Sequence, residues 1–230
     1  MSCDMHKTAL ELISMRRSIR TYYPDDVPDE LLALVLEAGR QAPSGENAQP
    51  WRFIVVRDEA RRKILGDIAA RGSGRRFTAE FLTKRMHKRF ESLEDEEKRR
   101  RAFEKLTSGN VSSFLSTAPV VIVVVGKKDV WDLPFDCSAA IENMLLMAPA
   151  LGLGACWVIA LCIDVRDEER VREVLNIPAD YKVISAISLG YSPQHPKPRP
   201  RLPLTELVFK ETFGEPYFVE APAVKTEGEE

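Results

Sequence analysis

The chain holds only four cysteines and three histidines in 230 residues, and none of them stands at paired spacing. Cys3, Cys137, Cys156 and Cys162 are scattered, and His6, His87 and His195 lie far from them and from one another. That arrangement supports neither a disulfide framework nor a zinc site, and Cys156 and Cys162, set among apolar neighbours, read as small buried thiols. Long apolar runs are missing as well. No run reaches the ~20 residues that span a bilayer, and the stretch Met1-Ser2-Cys3-Asp4-Met5-His6-Lys7 is too polar for the core of a secretory signal. A cytoplasmic location without a membrane partner is the expectation. Nor is there a surplus of positive charge. Lys plus Arg number 33 against 35 Asp plus Glu, with a net charge of -2 and a pI near 6.0. That balance argues against a general nucleic-acid binder, which needs a basic face. No Gly-x-Gly-x-x-Gly follows a strand and no Walker loop occurs, so a dinucleotide-binding fold has no support.

What is present reads as an ordinary soluble globular protein. With 44% apolar and 30% charged residues the chain can bury one sizeable core, and a single domain over 1–219 is expected. Ala9, Leu10, Leu12, Ile13 and Met15 recur with helical period over 8–15. A second helix follows Pro28, with Asp29 and Glu30 at its positive end and Gly39 and Pro43 bracketing its finish. Residues 53–56 form a strand and 58–70 a helix. Residues 120–125 are apolar without alternation, which predicts a central strand covered on both faces. The most apolar helix spans 134–151; Asp136, Glu142 and Asn143 exclude a membrane reading, so it is buried within the monomer or against a second subunit. A left-handed stop at Gly152-Leu153-Gly154 follows. Strands at 155–160 and 183–189 flank an amphipathic helix at 165–175. The stretch 75–115 is a charged, solvent-facing helical insertion. Five prolines hold 192–203 extended, 202–219 forms an arm toward another surface, and 220–230 is a disordered acidic tail.

Arg16-Arg17-Ser18-Ile19-Arg20 concentrates three guanidinium groups and a hydroxyl just past the first helix. Arginine offers a planar fork of donors that matches two phosphate oxygens, so the cluster points to an anion site, with a solvated basic patch as the alternative. Three further stretches accompany it: Ala42-Pro43-Ser44-Gly45-Glu46-Asn47-Ala48-Gln49-Pro50-Trp51, then Ala150-Leu151-Gly152-Leu153-Gly154-Ala155-Cys156-Trp157, then Leu189-Gly190-Tyr191 with Arg199-Pro200-Arg201-Leu202-Pro203. In order and spacing this combination resembles the nitroreductase family of flavoproteins, with 75–115 the part least covered.

The resemblance implies an α+β, nitroreductase-like fold. A central, mostly antiparallel sheet would be flanked by helices, in an intertwined homodimer with exchanged C-terminal arms and active sites at the subunit boundary. It implies FMN as cofactor, NADH or NADPH as reductant, and a nitroaromatic, quinone or similar small-molecule acceptor reduced in ping-pong fashion. Arg16, Arg17, Ser18 and Arg20 would hold the phosphate, ribityl chain and part of the ring, with Arg201 and Arg199 completing the phosphate clamp. Pro43, Ser44, Gly45 and Asn47 would approach the flavin of the other subunit. Trp157, Val158, Ile159 and Ala160 fall where the family places backbone amides near flavin N5. Some relatives carry Glu-Gly where Ile159-Ala160 stands here, and Trp157 reads equally as a core aromatic. No catalytic side chain stands out, since the flavin carries the hydride chemistry. The same fold also hosts reductive dehalogenation and flavin fragmentation, and a non-catalytic flavin-binding protein is a further alternative.

Overall fold

An apolar run such as 120–125 is stable as a strand only where both of its faces are covered. In the computed structural model, which describes residues 5–83, 90 and 95–217, it forms the interior strand β2 (Val120–Lys127). Its neighbours are β1 (Trp51–Val56) and β4 (Tyr181–Gly190), and β3 (Gly154–Val158) lies beyond β4. The order is β1-β2-β4-β3 and every pairing is antiparallel, as expected. Side chains alternate across a strand. Val120, Ile122 and Val124 therefore join one buried cluster with Val35, Ile141 and Met144, while Val121, Val123 and Val125 join another with Leu65, Ile68 and Val171.

The first face is covered by α2 (Asp29–Arg40) and α5 (Leu133–Ala150). Asp29 and Glu30 in the first turn of α2 and Arg40 in its last complement the helix dipole. Gly39 is not its terminator: it lies inside α2, where a Cβ would come within 2.8 Å of Met144 Cε. Asn143 ties the two helices by donating to the Ala38 carbonyl at 3.1 Å. One side of α5 is buried, but Ala139, Leu146 and Met147 are only half-buried, so a single chain does not cover the helix all round. Gly152 turns the chain into β3 with φ +73°.

The second face is covered by α3 (Glu59–Leu82), which Asp58 caps, and α6 (Val165–Leu175), which Asp164 caps. Here the helix expected over 58–70 runs on to Leu82, because no proline interrupts it and its three glycines, Gly66, Gly72 and Gly74, are buried against neighbours. The first residues of the charged stretch, 75–82, therefore belong to α3. Phe81 near the end of α3 stacks on Phe103 of α4 (Glu96–Thr107) with ring centroids 4.0 Å apart. Lys84, Arg85, Lys88, Arg89 and the tail from 220 lie outside the described residues.

Residues 17–194 form one compact unit, and the described residues of 1–16 and 195–230 form a second. The second contains α1 (Met5–Met15), an irregular stretch over 195–203 and the single turn α7 (Leu204–Leu207). A bridge between Phe209 and Pro216 and a contact of the Phe209 and Phe213 rings at 4.5 Å follow it.

Candidate functional site

β3 would leave an open edge on the sheet, and the chain after Arg16 runs along it. Ser18 bridges Ala155 in parallel, and the Ile19 amide donates to the Ala155 carbonyl at 2.9 Å. This close approach depends on Gly154, where a Cβ would stand 2.6 Å from Ile19 Cγ2. Three residues on, the Tyr22 hydroxyl donates to the Ile19 carbonyl, and burial pushes its pKa well above the usual tyrosine value, so it stays protonated. Its ring packs beside Gly190. The Tyr23 amide donates to the Tyr191 carbonyl at 2.9 Å, the Ser192 hydroxyl to the Thr21 carbonyl at 2.7 Å, and the Arg20 amide to Gln194 Oε1 at 3.1 Å. Stretches far apart in sequence, 17–23, 154–158 and 189–194, are therefore laced into one sheet edge.

That edge presents the expected anion-binding side chains to solvent. Ser18 and Arg20 are exposed and Arg17 is half-buried. The Arg20 guanidinium donates to the Ser18 carbonyl at 3.2 Å and lies 5.8 Å from the centroid of the Phe114 ring, which restrains it without a carboxylate in that contact. Two guanidinium groups and a hydroxyl, carried on backbone that two glycines allow to lie flat on β3 and β4, suit a phosphate, and the donor set fits FMN.

Trp157, read equally as a core aromatic, is 36% exposed between the buried Cys156 and Val158, so the core reading fails. β3 ends at Val158, and Ile159 and Ala160 lie past the ladder in a turn that the Cys162 amide closes on the Ile159 carbonyl at 3.1 Å. The strand stops short of 160 because the chain turns there toward the Asp164 cap of α6.

Pro43, Ser44, Gly45 and Asn47 stand elsewhere. Their loop leads into Trp51 at the start of β1, the opposite edge of the sheet, with β2 and β4 between. Three strand spacings put the two edges roughly 14 Å apart. Within the loop Ser44 Oγ accepts from the Gln49 amide at 3.0 Å, and Glu46, Asn47 and Gln49 all take positive φ. Arg16 follows α1, and Arg199 and Arg201 are exposed in the irregular stretch before α7; all three belong to the second unit.

Sequence reasoning missed Tyr22, Ser188, Gln194 and Asp136 as parts of these two places. Asp136, used only to argue against a membrane helix, is 6% exposed and accepts from the Gly45 amide. One signal was available: a lone acid on an otherwise apolar helix is costly to bury without a partner. Cys137 and Cys162 are free, and burial pushes both thiols up to about 12, which leaves them protonated at neutral pH.

The description "Nitroreductase family" matches residues 13–191. A protein of Archaeoglobus fulgidus, provisionally named an NADH dehydrogenase/NAD(P)H nitroreductase, is 34% identical over 79% of this chain and 84% of its own. An iodotyrosine deiodinase of Thermotoga neapolitana is 28% identical over 84% of this chain and 92% of its own. Among solved structures, an FMN-dependent nitroreductase of Clostridium difficile R20291 superposes with a TM-score of 0.66 at 27% identity, covering 89% of this chain and 99% of that one. No helix among the described residues is long and apolar enough to cross a membrane. By its motifs, its antiparallel sheet flanked by helices and these likenesses, the chain belongs to the Nitroreductase family.

Proposed function

We propose that the protein is an FMN-dependent NAD(P)H oxidoreductase that reduces nitroaromatic, quinone or similar acceptors and works as a homodimer. The observation that carries this reading is the lacing of 17–23, 154–158 and 189–194 into one sheet edge that presents Arg17, Ser18 and Arg20. In the reading, these side chains hold the phosphate and ribityl chain together with Arg16, Arg199 and Arg201. Charge-assisted hydrogen bonds of this kind contribute on the order of 1.5–3 kcal/mol each. Backbone N–H groups of 157–160 address the ring, and no acidic side chain takes part, because Ile159 and Ala160 carry none. Bound FMN supplies the hydride chemistry, and the chain supplies binding, orientation and electrostatics.

Pro43, Ser44, Gly45 and Asn47 complete the site from a second subunit. What supports this is their place at the far edge of their own sheet, together with the half-buried side of α5. The protein therefore purifies as a dimer that carries a yellow ligand with the mass of FMN. Anaerobic titration with NADH and with NADPH bleaches it rapidly with at least one of them. A flavin that keeps its colour with both identifies a carrier and sinks the enzyme reading. Replacing Arg16 and Arg201 together with Ala releases the ligand from a folded chain, whereas ligand retained in that double variant removes the clamp.

A second reading, reductive removal of halogen from an aromatic ring, is favoured by the likeness to the Thermotoga neapolitana deiodinase. Halide released from a halogenated phenol by the reduced protein, in step with oxidation of the nicotinamide, selects it over nitro or quinone reduction.

A further inference from the structure

We propose that Asp136 is a positioning residue which holds the loop at 43–49 in the shape that addresses the cofactor; the proposal rests on the reading of that loop as part of a flavin site. The loop is strained. Glu46, Asn47 and Gln49 have φ of 53°, 56° and 45°, a left-handed conformation that residues other than glycine adopt only where their surroundings enforce it.

Part of the enforcement is internal to the loop. The Asn47 amide donates to the Ser44 carbonyl at 3.1 Å, the Ala48 amide to the Gly45 carbonyl at 2.9 Å, and the Gln49 amide to Ser44 Oγ. These bonds shape the loop but do not fix it to the core. Asp136 does: from the first turn of α5 its Oδ1 accepts the Gly45 amide at 3.1 Å, a tie across 91 positions of sequence.

The side chain is well placed for that task. It is 6% exposed and flanked along α5 by the buried Leu133, Cys137 and Ala140, so it is rigidly seated. The positive end of α5 favours its charge. Its second oxygen, Oδ2, is buried with no partner among the described residues, so Asp136 is retained at a cost that packing does not require. Gly45 itself is exposed, and a Cβ there would stand 2.9 Å from Asp132 Oδ2. Holding a strained loop against a buried carboxylate gives Ser44 and Asn47 one orientation before any ligand arrives, which lowers the ordering cost of binding.

The test compares wild-type holoprotein with Asp136→Ala, Asp136→Asn and Val171→Ala. Val171 is fully buried on the other face of the sheet, and its truncation lowers stability without touching the loop. Two quantities are read: FMN released on dilution, and deuterium uptake by the peptide spanning 43–49. Asp136→Ala raises FMN dissociation by about tenfold, the size expected for one charge-assisted hydrogen bond, and speeds exchange in the loop while the β2 peptide stays slow. Asp136→Asn, whose carbonyl oxygen still accepts from Gly45, restores most of both. Where Asp136→Ala does not fold, Asp136→Ser, one atom too short to reach Gly45, is read in its place. The proposal is overturned by unchanged dissociation and exchange in the truncated variant, by an Asn variant as impaired as Ala, or by an equal loss of FMN in Val171→Ala. Wild-type protein that binds no FMN overturns instead the flavin reading beneath it, and the two failures are told apart in the first measurement.

Discussion

The Tyr22 hydroxyl lies 2.6 Å from the Ser188 hydroxyl and 2.6 Å from the Ile19 carbonyl oxygen, so one side chain clamps the arginine-bearing segment onto β4. Ser188 is fully buried, and removing its partner leaves a buried hydroxyl and a carbonyl short of a bond. Tyr22→Phe is expected to lower stability by about 1–3 kcal/mol, the cost of leaving such groups unsatisfied. Because residues 17–20 lie on the same segment, FMN affinity is expected to fall with it. Urea unfolding and flavin fluorescence titration of Tyr22→Phe, Ser188→Ala and the double variant check both points. The double variant loses less than the sum of the singles if the two hydroxyls act as a pair.

Gly154 meets Ile19 in a different way. A methyl group there would sit 2.6 Å from Ile19 Cγ2 and 2.9 Å from its Cβ, and the β-branched side chain, 6% exposed, has little room to turn. Gly154→Ala must push the segment off β3 and break the bridge between Ser18 and Ala155. Overpacking of this kind costs about 1–3 kcal/mol. Thermal unfolding of Gly154→Ala should show the loss, and Ile19→Ala in the same chain should return part of it by vacating the space. A double variant no more stable than Gly154→Ala would show that the contact does not set the edge.

These two contacts mark the boundary of what the sequence makes legible. β2, α2 and α6 are readable because each carries a local signal: an unbroken apolar run, acids after a proline, an amphipathic repeat. The arginine cluster is legible from its own residues as an anion site, and the resemblance supplied the roles of its companion motifs. Neither source revealed why Gly154 and Gly190 stand where they do, since each makes room for a side chain distant in sequence. Periodicity treated Asp136 as a polar interruption of α5, because the Gly45 amide it serves becomes its neighbour only through tertiary packing. Trp157 stayed open between site and core for a related reason: which side chains of a strand are covered is decided by tertiary packing, and this one is left 36% exposed.

Asp164 makes the acid limb of stability testable. It caps α6 by accepting the Arg166 amide at 3.0 Å, pairs with the Arg166 guanidinium at 2.7 and 3.0 Å, and approaches Arg75 Nε of α3 at 3.5 Å. The side-chain bonds from Arg166, then the backbone bond, hold its carboxyl well below the ordinary 3.8. A carboxyl whose folded value is depressed leaves the native state with fewer bound protons than the unfolded chain. Its stabilising effect is therefore complete above 3.8 and is lost as pH falls through that value toward the folded one. Asn is nearly as good a helix cap as Asp, so Asp164→Asn keeps the cap and deletes the titration. Urea midpoints measured from neutral pH down to about pH 3 should therefore show the wild-type and Asp164→Asn curves converging as the pH falls, the region in which a depressed carboxylate gives up its contribution. Strong salt should narrow the gap at neutral pH, because the ion pair is screened while the cap bond is not. Curves that stay parallel across the range would show that the charge of Asp164 contributes nothing to holding α6 against α3.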